Sequence, residues 1–202
     1  MPGRRIITMA MLTGLLLGCA RGEFVPTVLY SVEPEIEVAQ FETVDASFAI
    51  RPLEAARPYR LPIQYRTPGN ALHRYYDVEW AEMPRDTVTR AIMDGVIASG
   101  RFADVGHAAN MRTADYILTG FLRRYEEARD GAGGRAAVCE VYVETRTGFE
   151  RDLVWSGSAS ASVPIEGEGF AALAAAMSEA VAQVAAEIVE AVAAEADAPA
   201  PA

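Results

Sequence analysis

Two kinds of hydrophobic spacing divide this chain into helices and strands. Apolar residues recur three or four positions apart in two segments, which predicts two amphipathic helices. The first begins near Pro84 and ends at Gly100. The second is a long apolar seam of Phe170, Leu173, Met177, Val181, Val184, Ile188 and Val192. Because this seam holds only about three heptads, we expect it to pack on the chain's own sheet more readily than in a coiled coil.

Alternating apolar and polar residues predict the strands. The clearest candidates are 72–80, 115–126, 136–145 and 153–163. In the first, the predicted apolar face comprises Leu72, Tyr76, Val78 and Trp80. In the last, apolar side chains fall on one face and serines on the other, as in an antiparallel sheet with one solvated side.

Shorter extended pieces precede these strands. They are 28–34, 36–41, 47–51 and 61–66, and nearby prolines favour sheet edges and turns. Together, the pattern predicts an α+β two-layer sandwich, in which an antiparallel sheet carries two helices on one face.

The N-terminus has the pattern of a secretory signal. Arg4 and Arg5 precede a mostly apolar stretch from Ile6 to Leu17, which is too short to span a bilayer as a helix. The sequence Leu16-Leu17-Gly18-Cys19 that follows resembles a bacterial lipobox, in which the Cys19 thiol would receive a diacylglyceryl group and the new amino terminus would be acylated. The alternative is an ordinary signal peptide with a chance cysteine.

These observations predict the organisation of the whole chain. Residues 1–18 form a signal peptide, 19–27 a lipidated tether, 28–193 one folded domain and 194–202 a disordered tail. Several acyl chains on one residue would hold the protein firmly on a membrane.

The charge limits the kinds of partner. The formal net charge is −10 at pH 7, and removal of Arg4 and Arg5 with the signal would leave −12. An acidic chain is not attracted to nucleic acid, and its surface is repelled by anionic lipid headgroups. We therefore expect membrane contact through the lipid on Cys19, and no nucleic-acid partner.

Candidate catalytic and metal-binding residues are few. Once Cys19 is lipidated, Cys139 is the remaining cysteine, and it shares a strand face with Val141 and Val143, which predicts a buried small hydrophobe. His73 and His107 lack metal-ligand spacing, and acidic pairs such as Glu126-Glu127 are typical of a solvated face. The sequence predicts no catalytic residue, no metal and no cofactor, and hence a binding protein and not an enzyme.

The strand candidate 115–126 has apolar residues on both faces. Tyr116, Leu118 and Leu122 alternate on one face, and Ile117, Phe121 and Tyr125 on the other. Gly120 beside Leu118 favours close packing of that face on a helix. If the other face is exposed, Phe121 and Tyr125 form an apolar partner surface. The alternative is that the loop 51–70 folds over it.

Several segments, in order, resemble one protein family. Trp80-Ala81-Glu82-Met83-Pro84 resembles the Trp-x-Glu-x-Pro signature of ABC-type transport auxiliary lipoproteins, which include the paraquat-inducible protein C group. The segments 99–105, 114–120 and 145–148 resemble the following parts of the same family, and 29–34 resembles its short N-terminal motif. The similarity covers roughly residues 28–193.

The resemblance implies an outer-membrane lipoprotein accessory of an ABC/MCE-type intermembrane lipid transport system, where MCE denotes mammalian-cell-entry domain proteins. Its partners would be an MCE-domain protein or ABC transporter subunits, and it could form a homo-oligomer. Ala20 follows the lipidated cysteine, where Asp would resemble an inner-membrane retention signal, so Ala20 favours sorting to the outer membrane. The alternative function is a lipoprotein chaperone or plug of another outer-membrane complex, in lipopolysaccharide or secretion machinery.

Overall fold

A computed structural model describes residues 25–111 and 113–195. In this part of the chain, a nine-stranded sheet is combined with two α-helices. In chain order, the elements are β1 (Val28–Tyr30), β2 (Val44–Ile50), β3 (Glu54–Ala55), β4 (Pro62–Arg66), β5 (Leu72–Trp80), α1 (Pro84–Ser99), β6 (Phe102–His107), β7 (Tyr116–Arg129), β8 (Arg135–Thr147), β9 (Leu153–Pro164) and α2 (Gly169–Glu195). The mixture of helix and strand confirms the α+β class.

The sheet is organised around the long strand β7. On one side, β7, β8 and β9 form an antiparallel meander. On the other side, β2, β3 and β4 pair with β7 in parallel, one after another. The strands β5, β1 and β6 extend the sheet further, the first antiparallel to β4 and the other two parallel to their neighbours. The sheet is therefore mixed, and the prediction of a purely antiparallel sheet was wrong.

A single extended run of chain explains the parallel pairs. Phe48 pairs with Tyr116, Glu54 with Phe121 and Tyr65 with Glu127, so the chain advances along β7 in one direction. Pro52 and Pro58 lie between the strands of this run, and Pro62 begins β4, because proline lacks the N–H that a ladder needs. Strand direction was not readable from the sequence, since parallel and antiparallel strands share the same two-residue period.

Both predicted helices are present, and their ends follow from local chemistry. Pro84 occupies the first turn of α1, and Gly100 ends the helix with a left-handed φ of 66° and an N–H bonded to the carbonyl oxygen of Ile97. The helix α2 packs on β8, β9 and α1. By length and composition α2 could cross a membrane, but more than half of its most apolar stretch is buried inside the fold.

The predicted strand 36–41 was wrong. The chain between β1 and β2 crosses the helices as an extended strap: the N–H of Glu33 donates to Ser178 Oγ (3.0 Å), and that of Phe41 to the carbonyl oxygen of Ser99 (2.9 Å). Ile36 packs close to Gly95, where an added Cβ would lie only 3.0 Å from Ile36 Cγ2. The apolar residues of the strap therefore pack on helices and not in the sheet.

The alternation predicted for β5 fails at Tyr76. Pro62 pairs with Glu79 but Gln64 pairs with Arg74, so β5 contains extra residues at this point. Such a bulge reverses the faces of the residues that precede it. Tyr76 is consequently 78% exposed, whereas Val78 and Trp80 are buried as predicted.

Candidate functional site

The side of β7, β8 and β9 that points away from the core forms a continuous surface, here called the outward face. It comprises Ile117, Thr119, Phe121, Tyr142, Glu144, Arg146, Ser156 and Ser158. Phe121, Tyr142 and Ser158 form one row across the three strands. The guanidinium of Arg123 lies 4.9 Å from the centre of the Tyr142 ring and donates to Ser158 Oγ at 3.2 Å.

Phe121 and Tyr125 were predicted to form an exposed apolar surface, but of these two residues only Phe121 is exposed. Phe121 is 36% exposed, but Tyr125 is only 1% exposed, so its assignment to an exposed patch was wrong. A bulge between Leu122 and Arg124 adds a residue to β7 and turns Tyr125 to the core side. There its ring meets that of Trp80 edge-on, with centroids 5.4 Å apart.

The loop between β3 and β4 covers part of β7 but leaves Phe121 partly exposed. Tyr59 in this loop is buried and donates its hydroxyl to Glu126 Oε2 at 2.6 Å. The predicted covering loop 51–70 therefore pairs edge to edge with β7 beside Phe121, through Glu54, and folds over β7 at Glu126, five residues further on.

Gly120 allows a close approach of strands, not of a helix. An added Cβ would lie 2.5 Å from the carbonyl oxygen of Tyr142 and 2.8 Å from Leu53 Cδ2. The prediction that Gly120 packs on a helix was wrong, because its neighbours belong to β8 and to the segment between β2 and β3.

Glu126 and Glu127 are fully buried, so the prediction of a solvated acidic pair was wrong. Glu126 is held by the Tyr59 hydroxyl, by Arg66 Nη2 at 2.8 Å and by Arg124 Nε at 2.9 Å. Burial by itself would raise the pKa of Glu126, but the hydrogen bonds from Arg66, Tyr59 and Arg124 outweigh burial and lower it. The carboxylate is therefore ionised and structural.

Glu127 has an equivalent set of partners. It accepts hydrogen bonds from the Tyr75 hydroxyl at 2.8 Å, Arg129 Nε at 2.7 Å and Arg135 Nε at 3.0 Å. Here too burial opposes ionisation, and the hydrogen bonds from Arg135, Arg129 and Tyr75 lower the pKa. The Tyr75 pKa is raised to about 12, chiefly by burial and then by its bond to Glu127.

A sequence signal for this pairing existed. Arg124 lies two residues before Glu126 and Arg129 two residues after Glu127, and residues two apart share a strand face. The tyrosines and the arginines Arg66 and Arg135 come from elsewhere in the chain and could not be assigned from the sequence.

Cys139 is buried with Val141 and Val143, as predicted. Burial, and to a lesser degree Glu140, raises the pKa of the Cys139 thiol to about 12, so the reactive thiolate is scarce at neutral pH. Within residues 25–111 and 113–195, no three His, Cys, Asp or Glu side chains are grouped to hold a metal ion.

An apolar cavity under the C-terminal end of α2 is too small for a lipid chain. It is lined by Phe48, Phe102, Tyr116, Thr145, Val154, Trp155, Val192 and Glu195. Its volume is about 10 Å³, room for roughly one water molecule. The buried hydroxyl of Thr145, which has no hydrogen-bond partner among the described residues, lies in its lining.

The predicted lipidation and sorting residues, Cys19 and Ala20, lie outside the described residues. So do most of the predicted tether and of the C-terminal tail, although α2 continues as far as Glu195.

The fold is similar to solved bacterial proteins. A Xanthomonas campestris protein assigned to the family DUF330 has a TM-score of 0.73 and 26% identity, covering 84% of this chain and 96% of that one. A hypothetical protein of Chlamydia trachomatis has a TM-score of 0.54 and 11% identity, covering 77% of this chain and all of the other. The second similarity is one of fold alone.

Sequence comparison gives a more specific result. No curated protein matches the chain. Residues 39–189 match the profile of the ABC-type transport auxiliary lipoprotein component, a stretch that runs from the strap to the last turns of α2. Because this match spans well over half of the sequence, the chain belongs to the ABC-type transport auxiliary lipoprotein family.

Proposed function

We propose that this protein is an outer-membrane lipoprotein that serves as a docking component of an ABC/MCE-type intermembrane lipid transport system. The family match over residues 39–189 carries the proposal, because it spans β7 to β9 and therefore the outward face. Its partners would be ABC transporter subunits or an MCE-domain protein.

The chemistry of the buried groups favours binding over catalysis. Glu126 and Glu127 are held as carboxylates by arginines and tyrosines, and Cys139 is held as a thiol by burial. A catalytic acid or base would instead have a pKa near the working pH.

The anchor and its sorting signal complete the proposal. Cys19 would carry the lipid, and Ala20 would allow export to the outer membrane. Replacement of Cys19 by Ser should release the protein from membranes or leave it unprocessed, and Ala20→Asp should shift it to inner-membrane fractions. An unmodified Cys19 thiol in the mature protein, measured by intact mass, would exclude the anchor.

Co-purification tests the docking role directly. Phe121→Asp places a charge in the centre of the outward face, so it should abolish co-purification with the transporter subunits while circular dichroism stays native. Tyr76→Asp is the matched control, because Tyr76 is an exposed aromatic residue on β5. Retention of the partner by Phe121→Asp would contradict the proposed surface, and co-purification with a β-barrel complex instead would favour a chaperone or plug.

A further inference from the structure

A small cleft is lined by three arginines and lies at the end of the outward face where β7 begins. Arg51 directly follows β2, Arg146 lies near the end of β8, and Arg151 lies in the turn between β8 and β9. Ile117, Thr119 and Thr147 complete the lining. The cleft has a volume of about 50 Å³ and is open to solvent.

Hydrogen bonds to backbone carbonyl oxygens position the main chain of Arg51 and the side chain of Arg146. The N–H of Arg51 donates to the carbonyl oxygen of Leu118 at 3.0 Å, which fixes Arg51 at the edge of β7. Arg146 Nη1 donates to the carbonyl oxygen of Arg151 at 3.1 Å, which ties the end of β8 to the turn.

Few negative charges balance the cleft. Arg146 is paired with Glu144 through Nη2 at 2.8 Å. Among the described residues, neither Arg51 nor Arg151 has a side-chain hydrogen bond or an ion pair, and both are exposed. Glu150 and Asp152 adjoin Arg151 in sequence but do not line the cleft. A chain with a net charge of −10 therefore carries a local excess of positive charge here.

We propose that this cleft binds a phosphate group. A phosphate carries up to two negative charges, and its tetrahedral oxygens can accept hydrogen bonds from several directions at once. Guanidinium groups supply such bonds in pairs, and the hydroxyls of Thr119 and Thr147 add two further donors. A carboxylate offers two oxygens in a single plane, so it would satisfy fewer of these donors at once than the oxygens of a phosphate do.

The bound group would be either the phosphate of a lipid headgroup or inorganic phosphate. Phe149 lies in the same turn as Arg151 and is 97% exposed, so the turn that carries Arg151 also presents an apolar ring to solvent, where it lines a neighbouring cavity with Asp115 and Glu150. The acyl part of a phospholipid would contact such a ring, whereas inorganic phosphate would not. The inference goes beyond the docking role and does not depend on it, because it concerns binding by this chain alone.

A second arginine-lined cleft provides the matched control. Arg57, Arg60 and Arg85 line a cavity of about 150 Å³ beside the start of α1. There Arg85 is paired with Asp86 at 3.3 Å, and the Tyr59 hydroxyl is engaged by Glu126. Arg57→Gln combined with Arg60→Gln therefore removes the same two charges as the paired change at Arg51 and Arg151, but from a cleft where the described residues offer no free hydroxyl donor.

Isothermal titration calorimetry on the mature lipoprotein in neutral detergent tests the site. The probes are inorganic phosphate, dihexanoyl phosphatidylglycerol and dihexanoylglycerol, which lacks phosphate. Arg51→Gln combined with Arg151→Gln should weaken binding of the phosphate-bearing probes at least about tenfold. Arg57→Gln combined with Arg60→Gln should weaken it less than about twofold, since distant exposed charges are screened.

The probes distinguish the two sources of phosphate. If the chain binds phosphatidylglycerol more tightly than inorganic phosphate, and if Phe149→Ser makes the two affinities equal, the ligand is a lipid headgroup. Equal binding of both from the outset identifies free phosphate, and either outcome supports the site.

Four outcomes would overturn the proposal. They are no binding of either phosphate probe, equal binding of dihexanoylglycerol, equal losses in the two double variants, and tighter binding of a glutamate-rich peptide, which would indicate an acidic protein partner. None of them bears on co-purification with the transporter, so the docking role stands or falls separately.

Discussion

At the C-terminal end of β7, Glu126 and Glu127 are fully buried, and each carboxylate is bonded to two arginines and a tyrosine. We call this the closed end. At the N-terminal end, Arg51 and Arg151 are exposed, and neither has a carboxylate partner in the described part of the chain. We call this the open end.

The contrast shows that burial decides what a charged group does in this fold. A buried carboxylate loses its water and must be bonded to protein donors, so at the closed end all charges stabilise the structure. An exposed arginine keeps its water and costs the fold little. At the open end the cations are therefore available to a ligand.

Loss of a closed-end carboxylate should give the largest effect. Glu127→Gln keeps the shape of the side chain but leaves Arg129 and Arg135 without their counter-charge in a half-buried position. We expect the free energy of unfolding to fall by roughly 3 kcal/mol. Urea denaturation measures it.

Glu140→Gln is the control for that experiment. Glu140 Oε1 lies 3.6 Å from Arg123 Nη1, and both side chains are partly exposed. Loss of this ion pair should therefore lower the free energy of unfolding by less than about 1 kcal/mol. Equal losses in the two variants would remove the distinction between the buried carboxylates of the closed end and a partly exposed ion pair.

Low pH should destabilise the protein mainly by protonating the two carboxylates of the closed end. The pKa values of Glu126 and Glu127 are lower in the folded chain than their ordinary value of 4.5. Their carboxylates therefore stabilise the fold above about pH 4.5, and this stabilisation is lost as the pH falls through the folded pKa values. Thermal unfolding between pH 6 and pH 3 should show this loss, with a shallower slope in Glu127→Gln. Identical slopes would mean that other carboxyls control acid stability.

A small effect is expected at Cys139, which is buried in the core and belongs to neither end. Cys139→Ala removes one buried sulfur from the core side of β8 and should cost about 1 kcal/mol. Because the thiol is buried and its pKa is raised to about 12, a bulky thiol reagent should label the native protein slowly. Rapid labelling would show that the sheet opens there.

Features that depend on local spacing could be predicted from the sequence. The helix from Pro84 to Ser99, its end at Gly100 and the seam of α2 all follow from side chains three or four residues apart. Burial of Cys139 follows from strict alternation in β8.

Features that depend on distant partners could not be predicted. The bulge that turns Tyr125 inward is fixed by pairing between β7 and β8, and alternation cannot reveal an inserted residue. The burial of Glu126 and Glu127 depends on Tyr59, Tyr75 and other side chains from separate strands and loops. The same holds for the cleft of Arg51, Arg146 and Arg151, which lie up to 100 residues apart.

Photo-cross-linking in cells tests most directly whether the outward face is the docking surface. A benzophenone amino acid would be placed at Phe121 in one variant and at Tyr76 in another, both of them exposed aromatic positions. We expect a cross-link to an ABC transporter subunit or MCE-domain protein from position 121 and none from position 76. A cross-link to that partner from position 76 alone, or equal yields from both positions, would contradict this expectation.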